Sequence, residues 1–108
     1  MIELWDKKMI ITKTLDGNNI TLSIVGRLDT ITSVELSNEL DKIFAEGAFN
    51  FILDLKGLDY ISSAGLRVLL VTQKQVTSKG TKLELTGVNE TVKSVLDMTG
   101  FSGILTIK

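Results

Sequence analysis

Phe51-Ile52-Leu53-Asp54-Leu55 is a short apolar run with a single charge, and a second apolar block, Leu66, Val68, Leu69, Leu70 and Val71, follows closely. Lys56 to Ile61 carries the chain between them, and Ser62-Ser63-Ala64-Gly65 opens the second block as a helix. A buried strand that feeds a helix returns to its sheet through a crossover beside a parallel neighbour, which is an α/β arrangement. The helix start leaves backbone N–H groups unpaired, and these favour anions or anionic side chains. A serine hydroxyl there is either a plain cap or an oxygen that becomes a phosphate.

The flanking segments extend this unit in both directions. Met9 to Thr14 and Ile20 to Ile24 surround Asp16-Gly17-Asn18-Asn19, a turn cluster, and read as a hairpin. Ile20, Leu22 and Ile24 alternate with Thr21 and Ser23, so one face of that strand is buried. Trp5 either begins the first strand or covers a sheet edge. Thr32 followed by Glu35 fits a capping box, and Val34, Leu36, Leu40, Ile43 and Phe44 supply an apolar face up to a stop at Gly47. The serine-started helix runs to about Lys79 and ends at Gly80. Lys82 to Thr86 alternates as a strand, Asn89 caps a short helix with Val92, Val95 and Leu96 closed by Gly100, and Ile104 to Ile107 reads as a last strand. The expected order is β-β-α-β-α-β-α-β: about five strands in a mixed sheet, packed by about three to four helices. Asp29 and the Ser62-Ser63 pair then follow the C-terminal ends of parallel strands and are expected to be neighbours, on the rim where α/β folds place working loops.

Several function classes are excluded by composition. The chain of 108 residues is one domain's worth, with residues 1–108 expected to form a single unit. It has no cysteine and no histidine, which removes disulfides, thiolate and imidazole metal sites, and Ser-His or Cys-His nucleophile pairs. The net charge of −1 comes without a basic block, against nucleic-acid binding. Apolar runs are too short to cross a bilayer, and Met1 to Asp6 lacks the basic head and apolar stretch of a secretory signal, so a soluble cytoplasmic protein is expected. Charge is uneven: Glu35, Glu39, Asp41 and Glu46 face Lys42 alone in residues 30–47, while Arg67, Lys74, Lys79 and Lys82 meet no acid in residues 63–82. These are either solvated faces of opposite sign or a polarised surface for a partner.

The run Leu58-Asp59-Tyr60-Ile61-Ser62-Ser63-Ala64-Gly65-Leu66-Arg67-Val68-Leu69-Leu70 resembles the signature loop of STAS domains, the family that includes bacterial anti-sigma-factor antagonists. Gly26-Arg27-Leu28-Asp29-Thr30 resembles the family's strand-to-helix junction, and Leu96-Asp97-Met98-Thr99-Gly100-Phe101 its last helix and exit. The resemblance implies a single-domain STAS fold and a protein that regulates by partner switching. In that scheme the unphosphorylated antagonist binds an anti-sigma factor that is also a serine kinase. Phosphorylation of the loop breaks the complex, and a PP2C-type serine phosphatase restores it.

Carried onto this chain, the phosphorylated position is Ser63. Relatives usually have Asp just before it; here stands Ser62, which is either a second acceptor or a change in what the kinase recognises. The implied docking face comprises Asp29, Thr30, Tyr60, Ile61, Ser62, Ser63, Ala64, Gly65 and Arg67. Asp29 is either a fixed acid shaping that face or the N-cap of the following helix. Arg67, four residues after Ser63, is either an exposed surface arginine or a partner for the phosphate. The resemblance implies no catalytic residue, metal or cofactor in this chain. Two other readings remain: a phosphorylation-independent STAS adaptor in a signalling or transport assembly, and an enzyme binding nucleotides at the helix start. The loop lacks the glycine-rich phosphate pattern and its lysine, which weighs against the enzyme.

Overall fold

A computed structural model describes residues 9–108, so Trp5 lies outside the described residues. The chain opens with a hairpin of β1 (Met9–Asp16) and β2 (Asn19–Leu28), closed by Gly17 and Asn18. Gly17 takes a positive φ of 62°, a conformation a two-residue hairpin turn requires. Helix α1 (Thr30–Glu46), β3 (Asn50–Asp54), β4 (Leu58–Ile61), α2 (Ser63–Lys79), β5 (Leu83–Thr86) and α3 (Glu90–Thr99) follow. A 3-10 turn (Phe101–Gly103) leads into β6 (Thr106–Ile107).

The sheet is mixed. β1 and β2 are antiparallel, whereas β2–β3, β2–β4, β3–β5 and β5–β6 are parallel. Apolar residues align across it in rows: Ile20 with Phe51 and Leu83, then Leu22 with Leu53 and Leu85. All six are buried, while the alternate row of Thr21, Ile52 and Glu84 is half-buried. The period-2 pattern thus gives the sheet one apolar face. Helices α1 and α2 cover that face with Leu36, Leu40, Ile43, Phe44, Leu66, Leu69 and Val76, and the Phe44 and Phe51 rings sit 5.0 Å apart. Helix α3 adds Val92 and Leu96 to the same core.

The described residues hold six strands rather than about five, because Leu58–Ile61 is a strand and not a turn. Its burial runs buried, exposed, exposed, buried, so no alternation marks it in the sequence. β3 and β4 behave as one interrupted strand: β3 pairs with Asn19–Ser23 of β2, and β4 with Gly26–Leu28. At the break the Gly26 amide donates to the Gly57 carbonyl at 2.9 Å. A Cβ on Gly57 would fall 2.8 Å from Val25 Cγ2, so a side chain here would force the Val25 side chain to shift. Three α-helices are present among the described residues, and β6 is shorter than the expected Ile104–Ile107. Ile104 and Leu105 instead close the 3-10 turn, their amides donating to the Phe101 carbonyl.

At the start of α1 the N-cap role expected as one alternative for Asp29 is present, whereas the Thr32–Glu35 capping box is not: Thr32 is the N3 residue of a box headed by Asp29. Asp29 Oδ1 accepts from the Thr32 amide at 2.9 Å, and Thr32 Oγ1 accepts from the Asp29 amide at 2.8 Å. The Thr32 hydroxyl donates in turn to the Arg27 carbonyl at 2.7 Å, which is why a polar residue occupies a buried place on the helix. Val34, expected on the apolar face, is exposed; Thr32 and Ser33 take that face instead.

Candidate functional site

The two junctions meet at one rim. β2 and β4 run parallel with Leu28 beside Ile61, so Asp29 and Ser62 leave adjacent strand ends. The Ser62 amide donates to the Leu28 carbonyl at 2.9 Å, tying one junction to the other. Gly65 lets α2 press against this joint, since a Cβ on it would lie 2.8 Å from Leu28 Cγ and 2.9 Å from Ile61 Cγ1.

The serines divide the work. Ser62 is the N-cap of α2, and its Oγ accepts from the Gly65 amide at 3.2 Å. Ser63 is the first helical residue and is exposed, and its hydroxyl is engaged in no hydrogen bond among the described residues. One hydroxyl holds the helix end and the other stands free in solvent at that end. Asp29 caps α1 next door, so both helices present their N-termini to the same rim, and neither has an acid in its first turn.

Among the nine residues expected on the docking face, Thr30, Tyr60, Ser63 and Arg67 are exposed, and Asp29, Ser62 and Ala64 are half-buried. Ile61 and Gly65 are buried, so they shape the loop from beneath. Ser63 and Arg67 share a helix and stand one turn apart, as their spacing implies. Ion pairs among the described residues are Lys56–Asp54, Lys93–Asp97 and Lys108–Glu84, and Arg67 enters none of them. The acidic α1 and the basic α2 lie side by side, yet no ion pair joins them.

Sequence reasoning missed Arg27 as a rim residue. Its guanidinium lies 4.3 Å from the Tyr60 ring centroid, a cation–π contact between paired residues of β2 and β4. Arg27 lies in the junction segment singled out in the sequence, but its contact with Tyr60 depends on a strand that the pattern does not reveal. Arg27 also enters no ion pair among the described residues. The rim therefore holds two arginines, the Asp29 carboxylate that caps α1, two helix N-termini and the exposed Ser63 hydroxyl. Among the described residues, no helix is long and apolar enough to cross a membrane.

A mixed sheet with one apolar face under paired helices, and both junction loops at one rim, defines a small single-domain α/β protein. The STAS domain profile matches residues 9–108, and the chain belongs to that family. It is 31% identical over 90 residues to the anti-sigma-B factor antagonist of Bacillus subtilis, spanning 83% of this chain and 82% of that protein. To the anti-sigma F factor antagonist of Paenibacillus polymyxa it is 32% identical over 89 residues, covering 82% and 76% of the two chains. Among solved structures, an anti-sigma factor antagonist from Mycobacterium paratuberculosis superposes with a TM-score of 0.82 at 16% identity, covering 92% of this chain and 84% of that one. The unphosphorylated form of SpoIIAA superposes with a TM-score of 0.80 at 15% identity, covering 92% and 88%. At such identities the superpositions establish the fold.

Proposed function

We propose that this chain is an anti-sigma factor antagonist that works by partner switching. The unphosphorylated protein docks its rim on an anti-sigma factor with serine kinase activity and so frees the sigma factor. Phosphorylation of Ser63 ends the complex, and a PP2C-type phosphatase restores it. The chain supplies the substrate hydroxyl and the docking face, while the kinase supplies ATP chemistry and its magnesium.

The observation that carries this reading is the division between the serines. Ser63 is exposed and uncommitted at the electropositive end of α2, while Ser62 is occupied by the Gly65 amide. A kinase can therefore modify Ser63 without removing the helix cap. The relatives named as anti-sigma factor antagonists support the same assignment. The charge change is large enough to act as a switch. A phosphoserine adds about −1.5 to −2 charges at neutral pH. At about 5 Å from an acid of the partner, with an effective dielectric of about 20, each unit of charge costs about 3 kcal/mol. That corresponds to roughly a hundredfold in affinity.

Incubation with ATP, magnesium and the anti-sigma kinases of the same cell, followed by mass mapping, tests the proposal. The expected result is a single phosphate on Ser63, absent from Ser63→Ala, and a complex that dissociates on modification. Phosphate on Ser62 in its place, or undiminished binding by Ser63→Asp, overturns the switch. A stable complex that ignores kinase treatment assigns the rim to a phosphorylation-independent adaptor.

A further inference from the structure

Between the first turns of α1 and α2 lies an open cleft of about 290 Å³, with Val34, Ala64 and Val68 among its walls and Ser33, Asn38 and Arg67 among its polar lining. No carboxylate lines it, and Arg67 has no ion-pair partner among the described residues. Ser33 is 3% exposed, and its Oγ has no hydrogen-bond partner, a condition native structures seldom leave standing. Beside the cleft, Ile31 and Val34 present large apolar side chains to solvent, 60% and 58% exposed. Exposed apolar side chains gathered on one helix end, next to an unpaired cation, suit a protein surface better than a free ion.

We propose that this cleft receives a glutamate or aspartate side chain of the docking partner. The stem of that residue lies against Val34 and Val68, and its carboxylate takes charge-assisted hydrogen bonds from Arg67. A step of Ser33 between staggered χ1 wells turns its hydroxyl toward the same carboxylate and gives it the partner it lacks. The identity of the partner rests on the partner-switching reading, and the cleft adds a second action to the phosphate. Ser63 stands one turn before Arg67, so a phosphate on Ser63 competes for the guanidinium that holds the incoming acid. Modification then withdraws an attraction as well as adding a repulsion.

Two measurements separate this inference from the reading on which it rests. In the first, the free protein is titrated with N-acetyl-glutamate N-methylamide and with its glutamine counterpart, while backbone amide shifts are followed. Saturable shifts at Ser33 and Arg67 with the glutamate probe alone, lost in Arg67→Gln, are expected; an equal response to both probes, or none, overturns the cleft. In the second, binding to the phosphorylating anti-sigma kinase is compared between wild type, Arg67→Gln and Ser33→Ala. Arg67→Gln is expected to weaken binding of the unmodified chain about tenfold. It is also expected to shrink the further loss caused by phosphate on Ser63. A loss that is unchanged or larger in Arg67→Gln overturns the competition. Ser33→Ala is expected to weaken binding without lowering the unfolding midpoint; a lower midpoint with unchanged binding makes Ser33 structural and overturns its role. If no anti-sigma kinase binds, partner switching fails while the glutamate titration still decides the cleft.

Discussion

The Ser62 amide donates to the Leu28 carbonyl at 2.9 Å, across thirty-odd residues of chain, and that bond sets where α2 begins. With its amide held on the strand, Ser62 stays in an extended conformation, φ −93° and ψ 174°, and becomes the cap. Ser63 is left as the first helical residue, outward and unengaged.

The two serines should therefore differ sharply in what they contribute to stability. Ser62→Ala removes the acceptor for the Gly65 amide and is expected to cost about 0.5–2 kcal/mol. Ser63→Ala is expected to stay within about 0.5 kcal/mol of wild type, as exposed substitutions do. Urea unfolding of both variants checks this, and equal losses would show that the cap is shared.

Gly65→Ala should destabilise the protein although alanine is the better helix former. Its Cβ would meet Leu28 and Ile61 under 3.0 Å, both side chains being packed in the core. Such overpacking costs about 1–3 kcal/mol, more than the helix propensity gained. A lowered urea midpoint with an unchanged slope is expected. A midpoint at or above wild type would mean that α2 can lift off the joint freely.

Arg27 and Tyr60 should be energetically coupled. A cation–π contact at an exposed site is worth about 0.5–1 kcal/mol. A double-mutant cycle of Arg27→Ala and Tyr60→Ala should return a coupling of that size. Additive losses would reduce the 4.3 Å contact to mere proximity.

Asp97 supplies a pH-dependent element at the end of α3. A hydrogen bond from the Ser102 hydroxyl, chiefly, holds its carboxyl below the ordinary value; desolvation opposes this, and the Lys93 ammonium lowers it further. A depressed folded pKa contributes stability that is complete above the unfolded carboxylate pKa and is lost as pH falls through the folded value. Stability near neutral pH is therefore insensitive to this group, and only the acid limb responds. In Ser102→Ala the Asp97 carboxyl resonance should titrate at a higher pH than in wild type. An unchanged midpoint would show that Lys93 alone sets it.

Strands β2 and β5 were legible from alternation and β3 from its short apolar run, all properties of neighbouring residues, and Ile20, Leu22, Leu53 and Leu85 are buried accordingly. The ends of α1, α2 and α3 at Gly47, Gly80 and Gly100 were legible for the same local reason. Tertiary structure alone decided the rest. Leu58–Ile61 becomes a strand through hydrogen bonds offered by β2, not through any pattern of its own. Which serine caps α2 depends on Leu28, and Arg27 meets Tyr60 only through that pairing. The cleft at Ser33 and Arg67 exists only because α1 and α2 lie side by side. Periodicity and capping act over about four residues, whereas strand pairing and helix docking join segments tens of residues apart, which no local window contains.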